Sequence, residues 1–229
     1  MKILKKLLTW LILPVIIVVL VYVIVNSIKE PIEFNQEKAK REAVAIQRLK
    51  DIRDLQVAFR NVNHRYTSSM DSLVQFYNTG KIEVVMQIGS RDDSLAVENT
   101  EALKKRNRGI TPEQMLKLYQ QGEKLVFQIE NTLPVKDTLF LNRPDFHIDS
   151  LRYIPFSGGE EIALESTIRT VSGVRVPLFE ASMPYKSILR NMDRQLIINL
   201  VAEREDQGRY PGLMVGSISA PNNNAGNWE

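Results

Sequence analysis

The chain has 229 residues, with 30 Lys+Arg against 27 Asp+Glu, two histidines and no cysteine. Without cysteine there are no disulfides, thiolate metal sites or cysteine nucleophiles. Lys2, Lys5 and Lys6 account for the whole net charge of +3, so the remainder is neutral and lacks the basic field of a nucleic-acid binder.

From Leu7 to Ile28 no residue is charged. As a helix this run is about 33 Å long, against a hydrocarbon core of about 30 Å. It exceeds the apolar region of a secretory signal, and "IVNSIKE" offers only Val25 and Ser27 as a small-residue cleavage site. The expectation is a permanent membrane anchor over 7–28 with a short cytoplasmic tail at 1–6. A cleaved signal and a buried core helix are the alternatives. Lysines before the span favour an N-terminus inside, although Lys29, Lys38, Lys40 and Arg41 follow it.

"KEPIEF" is expected to break the span from a helical stalk over 29–64. Asn35 to Asn63 contains no Gly or Pro, and Ile46, Leu49, Ile52, Leu55, Phe59 and Val62 form an apolar stripe at helical spacing. That stripe either packs on the chain's own sheet or meets a partner helix. His64, at the helix end, suits the dipole there.

Residues 65–229 are expected to form one α+β domain with a flexible C-terminal tail. Ser68 or Ser69 caps a short helix that Gly80 stops, and residues 81–90 read as a strand. Residues 91–109 read as a mobile helical excursion, capped at Ser94 and stopped at Gly109. Thr111, Pro112 and Gln114 make a strong helix start. "EKLVFQI", "DTLFL" and "LRYIPF" read as extended.

"EEIALESTIRT" and "GVRVPLFEASM" continue a meander through turns at Ser157-Gly158-Gly159 and Ser172-Gly173. Ile162, Leu164 and Ile168 alternate, and so do Val174, Val176 and Leu178. Pro177 suggests an edge. Residues 194–205 read as helix or strand, with a turn at Gln207-Gly208. "SAPNNNAGNWE" reads as coil, with Trp228 as a group that docks on the domain or on a neighbour. The fold class expected is α+β: an N-terminal transmembrane helix, then a long amphipathic helix packed on a mainly antiparallel sheet.

Chemistry is sparse. Asp145, His147 and Asp149 alternate, so a strand would place three metal-ligating side chains on one face; the competing reading is a solvated edge. Asp92-Asp93 and Glu160-Glu161 fall in expected turns. Lys104, Lys105, Arg106 and Arg108 form the densest basic patch, either a solvated helix end or a contact for anionic lipid, a polyanion or an acidic partner. No nucleophile elbow, phosphate-binding glycine loop or zinc-protease motif occurs. No enzyme activity and no cofactor are expected.

Two resemblances bear on function. The apolar helix leading into "AFRNVNHRYTSSMDSLVQF" resembles pilins and type II secretion pseudopilins. It departs from them in having no glycine before Gly80 and no early glutamate in the apolar run. This departure points instead to the alignment proteins of pilus or secretion machines. "GRYPGLMVGSI" with "NNNAGNWE", and "RLKDIRDLQVAFRNVNHRYTSSMDSLVQFY" upstream, is similar to a family of single-pass envelope proteins of Bacteroidota with no assigned activity. That resemblance implies a bacterial inner-membrane anchor and a periplasmic domain.

The expected role is a non-enzymatic structural or assembly component of an envelope complex, of secretion or pilus-like type. Its partners would be the inner membrane through residues 7–28, other envelope proteins or further copies of itself, and no nucleic acid. Ile46, Leu49, Ile52, Leu55, Phe59, Val62 and Trp228 are the candidate partner contacts. A ligand-binding or sensory ectodomain is the alternative. A processed pseudopilin and a metal-dependent enzyme built on Asp145, His147 and Asp149 rank behind it.

Overall fold

The computed structural model describes Trp10 and residues 13–229. The tail at 1–6, its three lysines and the start of the expected span lie outside the described residues. The chain is mixed, about 50% helix and 20% strand, with antiparallel sheets and a long apolar N-terminal helix.

Helix α1 covers Leu13–Asn63 without interruption, with Pro31 inside it. The expected break at "KEPIEF" is therefore absent. Proline costs a helix interior about 3 kcal/mol by removing one backbone donor and crowding the preceding turn. The helix continues because the next turn is held: Phe34 is buried, and Lys29 reaches Glu33 at 3.3 Å across the proline. Every apolar side chain from Val15 to Val25 is exposed, as is Ile28, whereas Ala45, Leu49, Ile52 and Leu55 are fully buried. One helix thus carries two surfaces of opposite character.

The rest forms two compact units instead of one domain. The first comprises α1 as far as Val57, then Arg65–Met70 and His147–Glu229. Strands β3 (Ala163–Val171), β4 (Val174–Pro184) and β5 (Gly212–Gly216) form its antiparallel sheet in the order β3-β4-β5. Ser172 and Gly173, with φ of 51° and 84°, make the two-residue turn between Val171 and Val174. Positive φ at both central positions matches the twist of a tight hairpin.

Phe179, Ala181 and Met183 line the buried face of β4; of the alternating Val174, Val176 and Leu178 only Leu178 is buried, and Val174 is exposed. Apolar residues occur on both faces from Val176 to Met183, so alternation alone does not select one. Pro177 is tolerated because β5 pairs only with residues 180–184 of β4, which leaves one neighbour at residue 177. "LRYIPF" is not a strand: Ile148–Arg152 is a 3-10 turn, and a single bridge joins Tyr153 to Glu161. Residues 194–205 resolve as helix, within Arg194–Asp206.

The second unit, Ala58–His64 and Asp71–Phe146, holds a two-stranded sheet. Its helices in chain order are α2 (Met70–Thr79), α3 (Ser94–Arg106) and α4 (Pro112–Gln120). Strands β1 (Lys81–Ile88) and β2 (Phe127–Pro134) pair in full register, from Lys81 with Pro134 to Ile88 with Phe127. A lone hairpin is marginal in water; here Phe127 and Ile129 pack with Met115 and Leu125 into a small core.

Helix α4 has the expected capping box, in which Gln114 N donates to Thr111 Oγ1 and Thr111 N to Gln114 Oε1. Helix α3 is capped by Asp93 rather than Ser94. It ends at Arg106 with Asn107 extended, so Gly109 lies beyond the stop. "DTLFL" is not extended: a 3-10 turn at Val135–Asp137 runs into it. In the first unit, α5 (Tyr185–Ile188) and α6 (Arg194–Asp206) stand between β4 and β5, with Asp193 capping α6.

Candidate functional site

The described part of α1 includes one stretch long and apolar enough to cross a membrane, with none of it buried. An apolar helix this exposed needs a covering surface, because contiguous exposed patches of this kind are rare on soluble monomers. Its burial changes abruptly. Ile28 is exposed, Pro31 is half-buried and Phe34 is buried. One and a half turns, about 9 Å, separate Ile28 from Phe34.

Just past this junction α1 is clasped by polar groups of the first unit. Tyr185 is buried and its hydroxyl donates to Glu42 Oε1 at 2.7 Å. Lys38 Nζ lies 3.4 Å from the same oxygen, and Arg204 Nη2 donates to the Tyr185 hydroxyl at 3.4 Å. Lys38 and Arg204 also approach the ring, at 5.7 and 5.8 Å from its centroid. Burial, reinforced by the bond to Glu42, pushes the Tyr185 hydroxyl far above its ordinary range, so it remains a donor at physiological pH.

Next to Glu42 in sequence, Arg41 donates to the carbonyls of Ile188 and Arg190, pairs with Glu37 at 3.0 Å and lies over the Phe156 ring. Arg190 in turn donates to Ser157 O, and Ser187 to Glu160. Arg48 donates to Tyr153 O, and burial lowers its guanidinium from its ordinary value. Gln56, fully buried, exchanges two hydrogen bonds with the backbone of Thr67. Three polar side chains of one helix, Arg41, Glu42 and Arg48, are thereby fixed to segments far away in sequence, and Gln56 to the loop that follows the helix.

The expected partner stripe divides. Leu49, Ile52 and Leu55 are fully buried by this chain, so they are core and offer no surface to a partner. Ile46 and Phe59 are half-buried, with Phe59 set edge-on to Phe76 at 5.2 Å, and Val62 alone is exposed. The tail is likewise not flexible coil. Asn227 N donates to Met214 O, Met214 N to Asn227 Oδ1, and Asn227 Nδ2 to Gly212 O, which adds a partial strand beside β5.

Arg53 closes the tail by pairing with Glu229 at 2.7 Å, and Asn224 donates to the Tyr66 hydroxyl. Trp228 is half-buried over Gly226, where an added Cβ would lie 2.4 Å from the indole. Its Nε1 is buried and has no hydrogen-bond partner among the described residues.

The metal reading fails on geometry. Asp145 lies in a turn, His147 is the extended residue before the 3-10 turn, and Asp149 is inside that turn. The period of two needed to place them on one face does not exist, and no group of three acidic, His or Cys residues suited to a metal occurs among the described residues. The basic residues Lys104, Lys105, Arg106 and Arg108 are exposed at the end of α3. Lys104 lines a polar cleft of about 160 Å³ together with Gln87, Arg91 and Gln128, floored by Val126 and Phe127.

The sequence reading missed the Tyr185 clasp, because Glu42 and Tyr185 are 143 residues apart and neither belongs to a motif. It also missed Arg91 and the two glutamines. Only the run of basic residues pointed toward the cleft. Comparison with family models, with curated proteins and with solved structures finds no match.

Proposed function

We propose that this chain is a non-enzymatic, single-pass membrane component that carries its folded units at the surface of a bacterial inner membrane, on the periplasmic side. The observation that carries this reading is the continuity of α1, whose exposed apolar half runs without a linker into a buried half. A secretory signal has no reason to be continuous with the core of the mature fold. A structural anchor does, because the junction then sets the orientation of the folded part. The Tyr185 and Arg41 clasps reinforce that junction.

Lys29, Lys38, Lys40 and Arg41 all pair with acids three or four residues away on α1. Lys2, Lys5 and Lys6 have no acidic neighbour in sequence. The uncompensated positive charge then lies on the N-terminal, cytoplasmic side, although acids weigh little in that rule.

A structural or assembly role within an envelope complex, of secretion or pilus-like type, is supported by the β3–β4 hairpin. Ile168, Val171 and Val174 are exposed there, beyond the reach of β5. The test is extraction of native membranes with alkaline carbonate, followed by native mass measurement in mild detergent. Retention in the membrane pellet and a mass above that of one chain are expected. Release by carbonate, or a strictly monomeric, partnerless protein at native abundance, overturns the proposal.

A further inference from the structure

The cleft in the second unit goes beyond the anchoring role. Gln87 and Gln128 are register partners on neighbouring strands and stand side by side on the exposed face of the β1–β2 ribbon. Arg91 follows β1 by three residues, and Lys104 comes from the last turn of α3. All four side chains line the same cleft of about 160 Å³. None of the four has a hydrogen bond, ion pair or ring contact among the described residues.

Helix α3 is held against this site. Val126 N donates to Thr100 Oγ1 at 2.8 Å, and Asn99 Nδ2 to Lys124 O. Thr100 and Lys104 are one turn apart, so the bond that fixes Thr100 also fixes the root of Lys104. The helix C-terminus accounts for cations at Lys104, Lys105 and Arg106, which complement its dipole. It does not account for Arg91, which lies outside the helix and faces the same cleft. Asp92 and Glu130 are close in sequence, but neither lines the cleft, and Asp93 is engaged by Lys124 at 3.7 Å.

We propose that this cleft binds a tetrahedral oxyanion, namely phosphate or a terminal phosphomonoester. The donor set suits it. The guanidinium offers a planar fork for two oxygens, the ammonium a point charge, and the two amides neutral donors. Lys105, Arg106 and Arg108, exposed at and just beyond the last turn of α3, add positive field without lining the cleft. The cleft exceeds the size of a single phosphate group, which leaves space for the atoms that carry it.

The test uses the full chain in phosphatidylcholine nanodiscs, titrated with inorganic phosphate by calorimetry. The side-chain amides of Gln87 and Gln128 are followed by nitrogen-15 NMR. Saturable binding with shifts at both amides is expected. The double variant Arg91→Gln, Lys104→Gln should bind at least about tenfold more weakly, since each charge-assisted contact contributes about that factor. Lys136→Gln, an exposed control outside the cleft, should bind as the parent does.

Nanodiscs containing phosphatidic acid form the second arm. Shifts at the same amides without added phosphate, lost in the double variant, identify a lipid headgroup as the source of the phosphomonoester. Shifts with inorganic phosphate alone identify a soluble ligand. Absence of shifts in both arms, or binding that survives in the double variant, overturns the proposal. Failure of this test leaves the membrane-anchor reading untouched, because the anchor is assayed by extraction.

Discussion

Arg53 shows how one side chain can close a chain end. It pairs with Glu229 and reaches Asn224 O, while Asn227 and Gly226 set the strand-like pairing with β5. The hydrogen bond from Arg53 holds the Glu229 carboxyl below its ordinary value. A depressed carboxyl contributes stability that is present above the unfolded value, about 4.3, and is lost as pH falls through the lower folded value. Both partners are partly exposed, so the pair is screened and its contribution modest. The tail should therefore stay docked above the unfolded value and loosen as pH falls through the lowered folded one. In a Trp10→Phe background, Trp228 emission should show this step, and Arg53→Met should remove it. An identical step in both proteins would show that the pair does not hold the tail.

At the scale of elements, α1 is the member whose role changes most between sequence and structure. Its apolar stripe was legible from spacing, and so was the choice it posed between core and partner. Burial decides for core over Leu49, Ile52 and Leu55. Leu49→Ala should then cost about 2–5 kcal/mol, as fully buried leucines do. Val62→Ala, at an exposed position, should lie within about 0.5 kcal/mol of the parent. Denaturant unfolding of each variant checks this. Equal and small effects at both positions would return the stripe to the role of a partner surface. Pro31 belongs to the same scale: a single missing donor does not end a helix whose following turn is pinned by one buried side chain, Phe34.

The whole molecule combines an exposed apolar helix with two compact units whose cores do not use it. Residues 14–28 contribute no buried apolar side chain, and the first buried one along α1 is Phe34. A chain starting at Lys29 should therefore be soluble without detergent. It should unfold cooperatively, with a midpoint within about 3 °C of the full chain, about the shift that 1 kcal/mol produces in a chain of this size. Circular dichroism melts of the two proteins measure it. Loss of the cooperative transition would mean that the apolar helix is part of the fold rather than an anchor for it.

By itself the sequence determined the features that near neighbours decide. The uncharged run before Lys29, the Thr111-Pro112-Gln114 helix start and the Ser172-Gly173 turn depend on residues within one turn or one hairpin of each other. So does the helical spacing from Ile46 to Val62. It could not decide where along β4 each face is covered, because Leu178 and Phe179 are both apolar, face opposite ways and are both buried. Nor could it show that the asparagine-rich tail is ordered, since the hydrogen bonds that dock it reach Met214, Gly212, Gly216 and Tyr66, beyond the turns it makes within itself. Tertiary structure also dissolved the Asp145–His147–Asp149 constellation, whose three ligands required a strand that the turn at Asp145 prevents. It brought Glu42 to Tyr185 and Arg91 to Lys104. Contacts of this kind are set by packing between distant segments, for which a single sequence carries no local signal.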